Sequence, residues 1–339
     1  MNDEKLFFSL GIVNCITSNI IYLRDDAMAS NNIHTTALVE TSDIEESTVV
    51  GAFVHILPKA IIGKGCVICD RVYIGDDVII GDNVTIDVGA YLTGNLVIED
   101  NVRVGPNVGF HRNIKLPYDQ DKAEQTTKVL QGASIGANVT IPHGTVIGIN
   151  SVITDGAVIN TDVPPNAIVS GNPAQIIGYK DSRTPSANIP EVDVESLPLV
   201  GITAIGVGEA AVHKMPKITD LRGSLTFAEI EQYLPFVVKR YFIVYDVLSD
   251  KARGEHSHKN LHQYLVCVKG RCSVVVDDGD NMKEVKLESP QIGLHITPGV
   301  WGIQYKFSND AVLVVFASDK YDDKDYVRNY DEFLTMVNK

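Results

Sequence analysis

Aliphatic residues recur at every sixth position through the first half of the chain. From Leu38 the step lands on Ile44, Val50, Ile56, Ile62, Ile68, Ile74, Ile80, Ile86, Leu92, Ile98 and Val104 without a miss. The next residue is often glycine (Gly51, Gly63, Gly75, Gly81, Gly105), and the fourth after is small or aliphatic (Val54, Ala60, Cys66, Val72, Val78, Val84, Ala90). Six residues are too few for a helix with its turn. They suit one flat face of a triangular parallel coil, three units to a turn, with the aliphatic side chain inside and Gly, Asn or Asp at the corners. The period breaks after Val104 and resumes at Val129, Ile135, Ile141, Ile147, Ile153 and Ile159. The polar stretch 111–128 cannot continue the coil and is expected to be extruded on one side, where solenoids commonly build a site.

Beyond residue 180 the hexads are gone. Ser, Pro, Ala and acidic residues mark 181–214 as a linker, with an apolar strand within 199–207. Short apolar runs follow at 241–248, 261–268, 272–276, 293–297 and 311–317, separated by turn signals such as Lys269-Gly270, Asp277-Asp278-Gly279-Asp280 and Thr297-Pro298-Gly299. No long helix is expected before 330–337, so this half reads as a β-sandwich or jelly roll. The organisation is then a capping segment (1–30), a coil (31–180), a linker (181–214) and a second β domain (215–339). The apolar stretch 7–23 follows Asp3 and Glu4 and is broken by Asn14, Ser18 and Asn19, which suits neither a signal peptide nor a membrane span.

Composition narrows the partners. With 339 residues, 45% of them hydrophobic, the chain can build two cores, and a net charge of −14 argues against nucleic acid. An anionic substrate would have to be met by a local cluster of arginines. Five cysteines (Cys15, Cys66, Cys69, Cys267, Cys272) are an odd number. The one C-x-x-C lies inside the repeat, where Cys66 takes a small inward site, so the pair reads as structural, with reduced thiols and a cytoplasmic location.

Two places carry candidate chemistry. The interruption opens with His111 and Asn113, and His143 follows in the next coil but one; an imidazole titrating near 7 suits a general base. In the second half, Arg253-Gly254-Glu255-His256-Ser257-His258 puts two histidines at i and i+2, on one face of an extended chain. H-x-H in a jelly roll is also half of a metal site. The further ligands it would need fall on His262 or Gln263 and on Gly302, so no metal is expected. Histidines without a metal are suited to moving protons near neutral pH.

The motifs I-G-D-N-V, I-G-A-N-V-T-I and V-P-P-N-A-I-V-S-G-N-P-A (Val163 to Ala174) resemble the hexapeptide-repeat acyltransferases over about residues 31–180. The resemblance implies a left-handed parallel β-helix, a homotrimer, and acetyl-CoA bound between neighbouring subunits. It implies an amine or hydroxyl acceptor, with His111 or His143 as base. Asn113 would hold the sugar or the acetyl carbonyl, and Gly132, Ala133, Gly148 and Asn166 would flank the pantetheine.

The segments D-L-R-G-S-L-T-F (220–227), Lys239-Arg240, R-G-E-H-S-H (253–258), Val276-Asp277-Asp278-Gly279, Thr297-Pro298-Gly299-Val300-Trp301 and the tail Arg328-Asn329-Tyr330-Asp331-Glu332-Phe333 resemble the dTDP-4-keto-6-deoxyglucose 3,4-ketoisomerases. This implies a cupin jelly roll in which His256 and His258 move a proton between C3 and C4, His258 being favoured as the base. Arg222, Arg240 and Arg253 would clamp the pyrophosphate, with Tyr245 as a proton relay and Trp301 lining the pocket. Together the halves imply ketoisomerisation and N-acetylation, with amination by a separate aminotransferase between them, giving a dTDP-3-acetamido-3,6-dideoxyhexose for surface polysaccharide. Three other readings stay open: a sugar-binding cupin without catalysis, a β-helix serving only as a trimerisation scaffold, and a 3,5-epimerase.

Overall fold

A computed structural model of the chain describes residues 32–111, 125–180, 189–247 and 252–337. The expected capping segment, and Asn113 with most of the interruption, lie outside the described residues. The protein is mainly β, with an N-terminal solenoid and a C-terminal antiparallel domain consistent with a cupin. Among the described residues no helix is long and apolar enough to cross a membrane.

The hexads become two- and three-residue strands stacked in three parallel sheets. Ile56 pairs with Ile74 and Ile74 with Leu92; Ile62 pairs with Ile80 and Ile80 with Ile98; Ile68 pairs with Ile86 and Ile86 with Val104. These step residues are fully buried and form the continuous column that holds the prism together, each contributing about 1.5–3 kcal/mol by removal from water. Cys66 lies in that column. The corners are tied from coil to coil by aspartates: Asp82 Oδ1 accepts from the backbone N–H of Lys64 (3.0 Å), and Asp100 Oδ1 from that of Asp82 (2.7 Å).

The first coil departs from the sequence frame. Val39, not Leu38, pairs with Ile56, and Leu38 is 55% exposed. This coil is one residue short, and on a strand a one-residue slip exchanges the inward and outward side chains. The interruption behaves as an extrusion. Ile98 pairs with Val129, Val104 with Ile135 and Gly109 with Thr140, so the sheets run on as if the intervening residues were absent. As a result His111 pairs with Pro142, and His111 and His143 belong to adjacent coils rather than being a coil apart.

In the second half a six-stranded sheet runs Gly201–Ala204, Ala211–Lys214, Ile292–Ile296, Gln263–Lys269, Val312–Ala317 and Arg240–Tyr245. It faces a five-stranded sheet of Met282–Leu287, Cys272–Asp277, Trp301–Tyr305, Arg253–His258 and Tyr326–Val327. Leu265, Cys267, Val274, Val276, Leu294 and Leu313 fill the space between. Part of the expected linker belongs to this domain. Ala211–Lys214 pairs with Ile292–Ile296, and Val192 bonds to Glu284. All four residues of Ala211–Lys214 are buried, which erases the alternation by which a half-exposed strand is read from sequence. The closing helix Tyr330–Val337 lies where the sequence places it.

The end of the solenoid packs on the outer face of the five-stranded sheet. Along Trp301–Tyr305, residues 301, 303 and 305 join the apolar cluster of the solenoid, and Tyr179 meets Tyr305 edge to face at 5.2 Å. Gly302 and Gln304 point the other way, into the barrel.

Coil spacing can be tested at Gly105, where an added Cβ would stand 2.7 Å from the carbonyl carbon of Gly136 in the next coil. Gly105→Ala is expected to cost about 1–3 kcal/mol, read as a lower urea midpoint. An unchanged midpoint would mean that the coils separate freely.

Candidate functional site

The Arg253–His258 strand carries a β-bulge between Gly254 and His256, with Glu255 at φ +53°. Beyond it His256 and His258 both face the barrel interior beside Gln263, Gly302 and Gln304. Their Nε2 atoms are 3.2 Å apart. The other ring nitrogens are both held. His256 Nδ1 lies 2.8 Å from the carbonyl oxygen of Gly254, which only accepts, so this nitrogen carries the hydrogen. His258 Nδ1 lies 3.0 Å from Asp325 Oδ2 and donates to it. Asp325 is itself anchored by the backbone N–H groups of Asn260 (2.8 Å) and Leu261 (3.3 Å). Each neutral ring therefore presents an Nε2 lone pair to the other, and the Gln263 amide points at that of His258 (3.1 Å). Tyr326 closes one side, its ring centroid 4.3 Å from that of His258.

Burial pushes the His258 imidazolium down to about 4; the neighbouring His256 adds to the effect, and Asp325 opposes it. His256 is lowered too, first by burial, against its bond to Gly254. At neutral pH the pair is thus uncharged, with two facing nitrogens open to a proton. Such an arrangement can accept one proton and hold it between two sites.

The structure brings only some of the expected residues to this place. Arg240 sits at the start of Arg240–Tyr245 on the same face as Phe242 and Val244, which pack toward the barrel core. Its charge reaches His258, and its Nε is buried without a partner among the described residues. Arg253 begins the histidine strand and is exposed. Arg222 lies in the turn of a separate hairpin, Lys217–Asp220 with Gly223–Thr226, ion-paired to Asp220 at 2.6 Å. Tyr245 is on the outer face of its strand, 61% exposed. Trp301 is turned away from the histidines by strand alternation and packs against Tyr330 and Phe333.

On the solenoid, His143 is buried at the corner after Thr140–Pro142, and its Nδ1 would lie 3.2 Å from a Cβ added to Gly94, two coils before it. His111 is in register one residue earlier on the adjacent strand. Ala133 does not flank an outer groove: its methyl is inside the prism, at a small inward position of the hexad. Gly132 (φ +70°) turns a corner under Asn150, and Gly148 lies against the backbone of Pro164 and Pro165. Asn166 is buried and faces the junction between the two halves.

Sequence reasoning missed Asp325, Gln263 as a histidine partner, and Glu255. Asp325 stands 67 residues beyond His258, in a segment with no periodicity to mark it. Glu255 was in view within R-G-E-H-S-H, but the bulge that sends it to the opposite face has no sequence signal.

Residues 208–338 match the family model described as FdtA, WxcM-like, C-terminal, and residues 41–76 and 77–112 match the six-repeat bacterial transferase hexapeptide model. Over 131 residues the chain is 44% identical to the TDP-4-oxo-6-deoxy-alpha-D-glucose-3,4-oxoisomerase of Aneurinibacillus thermoaerophilus, covering 39% of this chain and 94% of that protein. Over 148 residues it is 46% identical to the dTDP-3-amino-3,6-dideoxy-alpha-D-galactopyranose 3-N-acetyltransferase of the same organism, covering 43% of this chain and 77% of that protein. A solved 3,4-ketoisomerase from Helicobacter canadensis shares 41% identity over 39% of this chain and 98% of its own, with a TM-score of 0.37.

The depressed His258 gives a stability signature. Its folded pKa of about 4 lies below the ordinary value near 6.5, so the unfolded chain takes up a proton that the folded chain refuses. The stabilisation is complete above about pH 6.5 and is lost as pH falls toward 4. The urea midpoint is expected to fall between pH 7 and pH 4.5, and the His258→Gln variant to fall less. Equal falls would show that His258 titrates normally.

Proposed function

The chain belongs to the WxcM-like family in its C-terminal half and to the bacterial hexapeptide transferases in its N-terminal half, and on that footing we propose that it is a bifunctional nucleotide-sugar enzyme. The C-terminal half interconverts dTDP-4-keto-6-deoxyglucose and its 3-keto isomer. The N-terminal half acetylates the amine of a dTDP-3-amino-3,6-dideoxyhexose, of galacto configuration by analogy with the acetyltransferase relative. The product is a dTDP-3-acetamido-3,6-dideoxyhexose for surface polysaccharide.

The observation that carries the isomerase reading is the facing Nε2 pair of His256 and His258, with Asp325 behind it. His258 Nε2 removes the proton at C3, and the electrons flow to the C4 carbonyl, forming an enediolate with its charge on O4. The proton of the C3 hydroxyl passes to O4, and the proton held by the histidines is returned at C4 as the C3 oxygen becomes the carbonyl. His256 is the second station for the proton. Asp325 keeps the hydrogen of neutral His258 on Nδ1 and stabilises the imidazolium that forms. Arg240 and Arg253 are the candidates for the phosphate oxygens, since a guanidinium binds them bidentately.

In the solenoid, acetyl-CoA supplies the acetyl group, held along the corners at Gly132 and Gly148 in a trimer. His143 and His111, on adjacent coils, are the candidates to take the proton that the attacking amine releases. A separate aminotransferase converts the 3-ketone to the amine between the two steps.

Proton NMR of the protein with dTDP-4-keto-6-deoxyglucose in D₂O tests the isomerase. A 3-keto sugar with deuterium at C4 is expected, whereas substrate bound but unchanged would leave the cupin a binding module. Asp325→Asn is expected to lower kcat/KM about 10²–10⁴-fold, as loss of the carboxylate that orients a histidine base does. In the wild type the acid limb of kcat/KM should lie near pH 4, following His258; a limb near 6.5 would remove His258 as the base.

A further inference from the structure

Where the solenoid meets the outer face of the five-stranded sheet there is a cavity of about 370 Å³, a size typical of small-molecule sites. It is separate from the histidine site: Trp301 and Ile303 line it, while Gly302 and Gln304, between and beyond them on the same strand, line the barrel side. Three polar atoms of residues that line the cavity are buried without a partner among the described residues: Tyr179 Oη, Asn166 Oδ1 and Glu255 Oε1. Tyr179 is 3% exposed and Asn166 5%. Leaving such groups unmet costs stability, and Glu255 adds a left-handed backbone at its bulge. Burial pushes the Glu255 carboxyl up, and burial followed by the charge of Glu255 raises the phenol of Tyr179, so the carboxyl lies within electrostatic reach of the phenol.

The chemistry of an occupant follows from what is unmet. The carboxylate and amide oxygens accept, so the ligand must donate. A carboxylate taken out of water is best matched by a cation. The remaining wall, with Trp301 and Tyr330, suits the C–H face of a flat ring, and Arg328 on the same lining suits a phosphate. We propose that this cavity binds a nucleotide-linked amino sugar, with its protonated amine on Glu255, its hydroxyls on Tyr179 and Asn166, and its phosphate toward Arg328. The identity of the sugar rests on the function proposed above; the site itself rests on the cavity and its unmet groups. It would hold the aminated intermediate on the chain between the isomerase and the acetyltransferase.

Trp301 is the single tryptophan of the chain, so its fluorescence reports on this cavity. Purified full-length protein is titrated with a dTDP-3-amino-3,6-dideoxyhexose, with dTDP alone and with the N-acetylated sugar nucleotide, and acetyl transfer to the amine is assayed in parallel. A saturable fluorescence change is expected with the amino sugar, about tenfold or more weaker in affinity for Glu255→Gln and for the two amine-free probes. Tyr179→Phe, which removes one hydroxyl, guards against misfolding of the glutamate variant and is expected to weaken the response more modestly. No response, an equal response to dTDP alone, or an unaltered titration in both variants would overturn the proposal. If acetylation proceeds while the tryptophan is silent, the cavity site falls and the proposed function stands; a tryptophan response without acetylation is the reverse.

Discussion

Side chains on a β-strand leave the backbone alternately to its two sides, and the C-terminal half depends on that geometry. Its five-stranded sheet has no face turned to water along Trp301–Tyr305, where every residue is buried. One set of alternate residues borders the histidine pair and the other set is the floor on which the solenoid rests. The bulge in the Arg253–His258 strand adjusts this alternation. With one extra residue at Glu255, both histidines face inward while the glutamate is turned out toward the solenoid. Catalytic geometry and docking of the two halves are thus set by one strand pair, and neither can shift register without moving the other.

The histidine pair depends on burial for its chemistry. Two imidazoles at 3.2 Å can share one proton but repel once both are charged, and in water each would titrate near its ordinary value. Packed beneath Tyr326 and Gln263, they are held neutral, and the cost of charging one is what makes the other a ready recipient. Asp325 does not oppose this by neutralising a charge at rest. It fixes which nitrogen holds the hydrogen, and the backbone N–H groups of Asn260 and Leu261 fix Asp325 in turn. The chain of restraint runs from a loop backbone through a carboxylate to the reactive nitrogen.

What was legible in the sequence follows physical periodicity. The solenoid could be read because each coil repeats one decision, an aliphatic side chain inward every six residues, and the burial of Ile56, Ile74 and Leu92 repeats it. The frame was lost at Leu38, where a shortened coil leaves the composition unchanged and alters only the phase. In the second half the histidines were legible because H-x-H needs only local alternation. Asp325 was not, because its role arises from tertiary approach across 67 residues. The face that Trp301 occupies was not legible for a related reason: a residue type that suits a pocket says nothing of which side of its strand it will take. Ala211–Lys214 was hidden for the opposite reason, being covered on both faces and so without an alternating pattern.

The outward set on Trp301–Tyr305 ties the two halves together. It consists of Trp301, Ile303 and Tyr305, closed over by the solenoid and by Phe333. Severed within the segment that joins the halves, the C-terminal part would expose an apolar floor suited to sticking rather than to dissolving. The solenoid therefore does more than share a chain with the cupin: it stands where water would otherwise meet that surface.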